Sequence, residues 1–188
     1  MGIPFRNPEP MTADEFFAFT ATRPDEEKWE LIDGEPIMNA SASFLHQVIL
    51  KNVVSCLTRL EEASDGTWIS IPGMGVRVSE TNVPVPDLLI RPNTLVRGSE
   101  CDDMIVAFEI LSPSTANRDF RLKRKAYVKL PSLHQYVIIA QDLVEVFSYD
   151  RASGFTERRL DAPDLRLDIP ALKIALPLTD IYKNTDFS

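Results

Sequence analysis

Met104-Ile-Val-Ala-Phe-Glu109-Ile-Leu111 is an apolar run broken by a single carboxylate. Its length and its β-branched and aromatic content predict a strand buried on both faces. An isolated ionised carboxyl in that setting costs more than the marginal stability of a domain allows, so Glu109 needs a paired cation, a proton or a metal ion beside it. Val83-Pro-Val-Pro-Asp87-Leu-Leu-Ile90 embeds a second acid in an apolar stretch. A hairpin between the two runs centred on Gly98 places Asp87 directly opposite Glu109, with Cβ atoms about 4.5 to 5.5 Å apart. Two carboxylates that close repel unless a hard cation lies between them, which points to magnesium or manganese. Pro84 and Pro86 cannot donate to a ladder and push the start of the Asp87 strand to an edge or a bulge.

Working outward, Thr12-Ala-Asp-Glu15 is a capping box ahead of Phe16, Phe17 and Phe19 and predicts a short first helix. Trp29 to Ile32 and Glu35 to Met38 flank Asp33-Gly34, the strongest two-residue hairpin signal, so Glu30 lies on a strand. From Ser43, the residues Phe44, Val48, Ile49, Val53, Leu57 and Leu60 recur at helical spacing and predict the longest helix. The pattern then becomes extended over residues 67–71, 74–78, 83–90 and 104–111. A helix over residues 118–130, capped by Thr115 or Asn117 and stopped by Pro131, precedes strands over 134–140, 143–149 and 155–160. The expected fold is α/β in the α+β sense: one mixed central sheet flanked by helices, with a strand-rich C-terminal half. Residues 11–183 are expected to form one domain, with 1–10 an N-terminal extension and 184–188 a tail.

The chain has 188 residues, of which 44% are hydrophobic and 26% charged, with 7 Gly and 14 Pro, so disordered, collagenous and coiled-coil classes drop out. No apolar run reaches membrane-spanning length, and the first ten residues lack the basic and apolar regions of a signal peptide; the expected location is cytoplasmic. Cys56 and Cys101, with no CxxC spacing, read as buried thiols. The net charge of −8 disfavours a general electrostatic footprint for nucleic acid. Locally the balance reverses: Arg118, Arg121, Lys123, Arg124, Lys125 and Lys129 face Asp119 alone in residues 118–129. If that helix packs over the sheet, Lys123 reaches the water or phosphate at a metal held by the two acids; otherwise it is an exposed partner of Asp119.

The remaining candidates are thinner. His46, on the long helix, and His134, opening a strand, read as satisfied structural histidines. Ser112 and Ser114 lack a GxSxG elbow, and Gly73-Met-Gly75 lacks the third glycine and the following helix of a phosphate loop. Trp29 and Trp68 read as core aromatics.

The order Pro86-Asp87, Glu109-Ile-Leu111 and Lys123 resembles the PD-(D/E)XK nuclease superfamily. The strings Trp29-Glu-Leu-Ile-Asp-Gly-Glu35, His46-Gln47, Val83-Pro-Val-Pro-Asp87, Glu109-Ile-Leu-Ser-Pro-Ser-Thr115, Asp119, Lys123 and Tyr127 resemble the Uma-two family of restriction endonucleases. The departure is Leu111, which stands where the superfamily has its lysine; the resemblance supplies that charge from Lys123 on the next helix. It implies a restriction-endonuclease-like fold and a metal-dependent endonuclease. Asp87, Glu109 and the Ile110 carbonyl would hold Mg or Mn, Lys123 would stabilise the transition state, and Glu30 would be an auxiliary acid or, alternatively, the partner of a nearby base. The implied partner is nucleic acid, DNA above RNA, with a homodimer for cutting two strands. Two rival readings stay open: an inactive nuclease-fold module that binds DNA or a protein, and a structural protein whose acids only pair with Arg77 or Lys123.

Overall fold

The computed structural model describes residues 9–24, 26–111 and 118–187, apart from the side chains of Arg118 and Asp119. The expected caps Thr115 and Asn117 and the run Ser112 to Thr115 lie outside the described residues.

The chain opens with helix α1 (Ala13–Thr20), the hairpin β1 (Trp29–Ile32) and β2 (Glu35–Met38), and the long helix α2 (Phe44–Glu62). Strands β3 (Trp68–Pro72), β4 (Gly75–Val76), β5 (Leu88–Pro92), β6 (Glu100–Cys101) and β7 (Val106–Ile110) follow. A π-helical segment, Arg118–Lys123, runs into helix α3 (Arg124–Tyr127). The C-terminal half carries β8 (Gln135–Ile139), β9 (Val146–Asp150), β10 (Glu157–Leu160), β11 (Arg166–Ile169), β12 (Ile174–Pro177) and helix α4 (Leu178–Ile181).

Local chemistry accounts for the entry elements. Thr12 Oγ1 accepts the Glu15 N–H at 3.3 Å while Glu15 Oε2 accepts the Thr12 N–H at 2.8 Å, closing the capping box of α1. Asp33 and Gly34 take φ of 48° and 76°, the left-handed pair that a type I′ turn requires, and any Cβ at Gly34 would collide with Pro10. Ser43 caps α2 through its side-chain oxygen.

The central sheet has the order β10-β9-β8-β7-β5-β3, mixed as expected, because β7 and β8 are parallel and the other neighbours antiparallel. A parallel pair needs a crossover, and the π-helical segment with α3 supplies it on one face. That face buries Leu89, Ala107, Tyr136 and Ile138 against Tyr127 and Leu130. The opposite face buries Leu88, Ile90, Val106 and Phe108 against Ile49, Val53 and Leu57 of α2. With both faces covered, β7 and β8 are buried at every position, which is why they read as continuous apolar runs.

The register is the expected one: Leu88 pairs Phe108, Leu89 pairs Ala107 and Ile90 pairs Val106, which carries Asp87 across from Glu109. Three expectations need correction. The strand expected over residues 83–90 begins only at Leu88 and is central, not at an edge. Pro84 and Pro86 precede it, in a segment where Val83 exchanges backbone bonds with Leu31 and Pro84 O accepts the Val76 N–H. The strand over 74–78 shrinks to β4, paired only with β6. The helix over 118–130 is π-helical to Lys123 and ends as α3 at Tyr127. The hairpin β11–β12 and helix α4 add structure beyond Leu160; Asn52 of α2 holds α4 through the Ile181 carbonyl at 3.0 Å. Among the described residues, no helix is long and apolar enough to cross a membrane.

Candidate active site

Glu109 stands at the next-to-last position of β7, on the face covered by the π-helical segment. Its carboxylate is 3% exposed as a residue and receives the Lys123 ammonium at 3.0 and 3.1 Å on its two oxygens, and the Tyr127 hydroxyl at 3.1 Å. Lys123 itself is 4% exposed, which overturns the alternative of a solvent-facing partner for Asp119. Its other contacts are the Val85 carbonyl at 3.0 Å and Glu30 Oε2 at 3.0 Å. The three N–H donors of an ammonium therefore have three acceptors: a backbone carbonyl and two carboxylates. Glu30, on β1 and fully buried, also accepts the Val85 N–H at 3.3 Å, so the base it partners is Lys123.

The π-helical turn matters here. An i, i+5 register inserts one extra residue, and such insertions recur at functional sites. Lys123 ends the π-helical segment, and Tyr127, four residues on and one α-turn later, closes on the same carboxylate. Burial beside Glu109 pushes the Tyr127 phenol well above its ordinary pKa, so it stays a neutral donor.

Asp87 precedes β5 and is reached from the other side. Its Oδ2 accepts the Ile110 N–H at 2.7 Å, and its Oδ1 lies 3.2 Å from His46 Nε2 on the first turn of α2. Its side chain keeps 26% exposure. Asp87, Glu109, Ile110, Lys123 and His46 line one cleft of about 1120 Å³, walled beyond them by α1 and the segment before α2. Of the residues singled out in the sequence, the structure places Asp87, Glu109, Glu30 and Lys123 together. His46, read from the residues as a structural histidine although it falls in one of the strings that carry the family resemblance, joins them through a contact with Asp87 that spans two elements. Arg77, the other base considered for the acids, instead pairs with Glu100 and Asp14.

The donor chemistry fits a hard divalent cation, since Asp87 and Glu109 offer carboxylate oxygens from opposed positions at the cleft. Among the described residues no three His, Cys, Asp or Glu side chains converge into a complete cage. Of the basic segment, Arg121, Lys125 and Lys129 are exposed, while Arg124 lies 4.1 Å over the Tyr149 ring and donates to the Phe155 carbonyl.

Comparison with known proteins agrees with this architecture. The family model described as "Uma2: Putative restriction endonuclease" matches residues 13–178. No curated protein matches the chain. Among solved structures, the crystal structure titled as a "putative nuclease belonging to DUF820" from Anabaena variabilis superposes with a TM-score of 0.76 at 18% identity, covering 92% of this chain and 97% of that one.

Proposed function

The chain belongs to the Uma2 family, and from that premise we propose that it is a magnesium- or manganese-dependent endonuclease hydrolysing phosphodiester bonds, with DNA as substrate. One observation carries the reading: a buried lysine shared by Glu109 and Glu30, in the same cleft where Asp87 stands opposite Glu109. Asp87, Glu109 and the carbonyl of Ile110 would hold the cation. When bound, it would supply Lewis acidity to the scissile phosphate and lower the pKa of a coordinated water.

The chain's own residues do the rest. Lys123 orients Glu109 through both of its oxygens, and offers positive charge to the phosphoryl oxygens as negative charge gathers on them. Glu30 acts through Lys123, fixing its ammonium from the side remote from Glu109. Tyr127 holds Glu109 Oε1 as a neutral donor. The exposed cations Arg121, Lys125 and Lys129 neutralise backbone phosphates, which offsets the acidic net charge of the molecule where the polyanion lies. Cleavage of both strands calls for two clefts related by a two-fold axis, so the working form is a homodimer. Its site of action is the cytoplasm, where Cys56 and Cys101 stay reduced.

The test is cleavage of plasmid and single-stranded DNA with magnesium or manganese against chelator, alongside Asp87→Ala and Glu109→Gln. Cleavage that needs the metal and vanishes in both variants is the expected result. Retained cleavage in either purified variant refutes the role assignment. DNA binding that survives chelation, with no cleavage under either metal, would make the protein a binding module instead.

A further inference from the structure

His46 is 8% exposed, and its side chain makes one polar contact among the described residues, Nε2 to Asp87 Oδ1 at 3.2 Å. Its Nδ1 is buried with no hydrogen-bond partner among the described residues. A histidine kept for structure normally satisfies both ring nitrogens, since a buried polar atom left unmade costs about 1 to 3 kcal/mol. The ring therefore accepts a cost to stand where it does, and the gain lies on Asp87. A carboxylate only accepts, so Nε2 carries the proton. The backbone delivering the ring is itself fixed. The His46 N–H donates to Ser43 Oγ at 3.1 Å, and Ser43 Oγ donates to Gln141 Oε1 at 2.8 Å, tying the first turn of α2 to the loop between β8 and β9.

We propose that His46 is a positioning residue that fixes the carboxylate plane of Asp87 ahead of cation binding, working as a pair with the Ile110 amide. The Ile110 N–H donates to Oδ2 at 2.7 Å, and His46 Nε2 stands 3.2 Å from Oδ1. Each carboxylate oxygen has about two acceptor directions, so each keeps one for a cation after its protein donor is satisfied. With Nδ1 buried, the effect of the ring passes through Asp87. The inference rests on the reading of Asp87 as a metal ligand.

Calorimetric titration of manganese into the purified protein separates the two. Asp87→Ala tests the ligand itself, and its binding manganese as tightly as the parent would overturn the site assignment on which His46 depends. Given that loss, His46→Leu should weaken manganese binding by about 10- to 100-fold with a cooperative melt retained, the range typical for groups that orient metal ligands. His46→Gln, which carries an amide N–H to roughly the Nε2 position, should stay within a few-fold of the parent. His46→Asn, polar but too short, should behave like His46→Leu, and this Gln–Asn contrast decides the matter even if the leucine variant does not fold. Parental affinity in His46→Asn, or equal loss in Asn and Gln, would overturn the proposal.

Discussion

Replacing Lys123 with Met keeps the length of the stem and removes the ammonium that Glu30 and Glu109 share. Both carboxylates lie within 3.0 to 3.1 Å of it. Glu30 is wholly buried and Glu109 nearly so. Breaking a buried ion pair from one side costs about 3 to 5 kcal/mol, because a charge is left in a medium that solvates it poorly. The Val85 carbonyl loses its donor as well. For a chain of this size the expected loss is about 6 to 20 °C in Tm, read by thermal and urea melts at neutral pH. The triple variant Lys123→Met, Glu30→Gln, Glu109→Gln removes the charges together and should recover at least half of the deficit, since a neutral set of similar shape is often no worse than the buried ions. A loss below about 1 kcal/mol in Lys123→Met, or no recovery in the triple variant, would refute the claim that this lysine holds two buried carboxylates.

Lys125→Ala and Lys129→Ala should each lower the slope of log affinity against log salt for duplex DNA by about 0.9, as expected for the loss of one phosphate contact, and unchanged slopes would remove the basic segment from the interface. Burial pushes the Cys101 thiol up to about 11, and burial beside Glu109 holds the Tyr127 phenol well above its ordinary value. The unfolded chain ionises each group first, so the Cys101 stabilisation is complete below about pH 8.5 and is lost as pH rises toward about 11, while that of Tyr127 starts to fall only above about pH 10. Urea midpoints that hold level between pH 8 and 10.5 would contradict this. At pH 8 Cys101, buried and protonated, should react with a disulfide reagent far more slowly than in denaturant; equal rates would contradict its burial.

What the sequence disclosed follows from how local each signal is. The Thr12–Glu15 box and the Asp33-Gly34 turn depend on residues within three positions of one another, and both form as written. The opposition of Asp87 and Glu109 was legible because pleat parity and burial admit few registers, even though the connection is no simple hairpin and contains β6. The π-helical turn was not legible: Arg118-Asp-Phe-Arg-Leu-Lys123 has no proline or glycine to mark an inserted residue, and the contacts of Lys123 with Glu30 and Glu109 are long-range. In β11 the period-two signal is present, with Leu167 and Ile169 buried between exposed Arg166 and Asp168, but four residues are too few to stand out.

The site's position explains how an acidic pair survives inside an apolar sheet. Glu109 and Asp87 lie where β7 ends and β5 begins, so each is reached from a different layer: Glu109 by Lys123 and Tyr127 from the crossover face, Asp87 by His46 from the helix α2 face. The Ile110 peptide joins the two halves, since its N–H holds Asp87 while Glu109 is the residue before it. Donors from both layers thus fix the two carboxylates at one end of the cleft. A site assembled this way depends on the packing of both faces against one strand end, so a repacking change on α2 that moves His46 acts on Asp87 while leaving the Lys123–Glu109 pair in place.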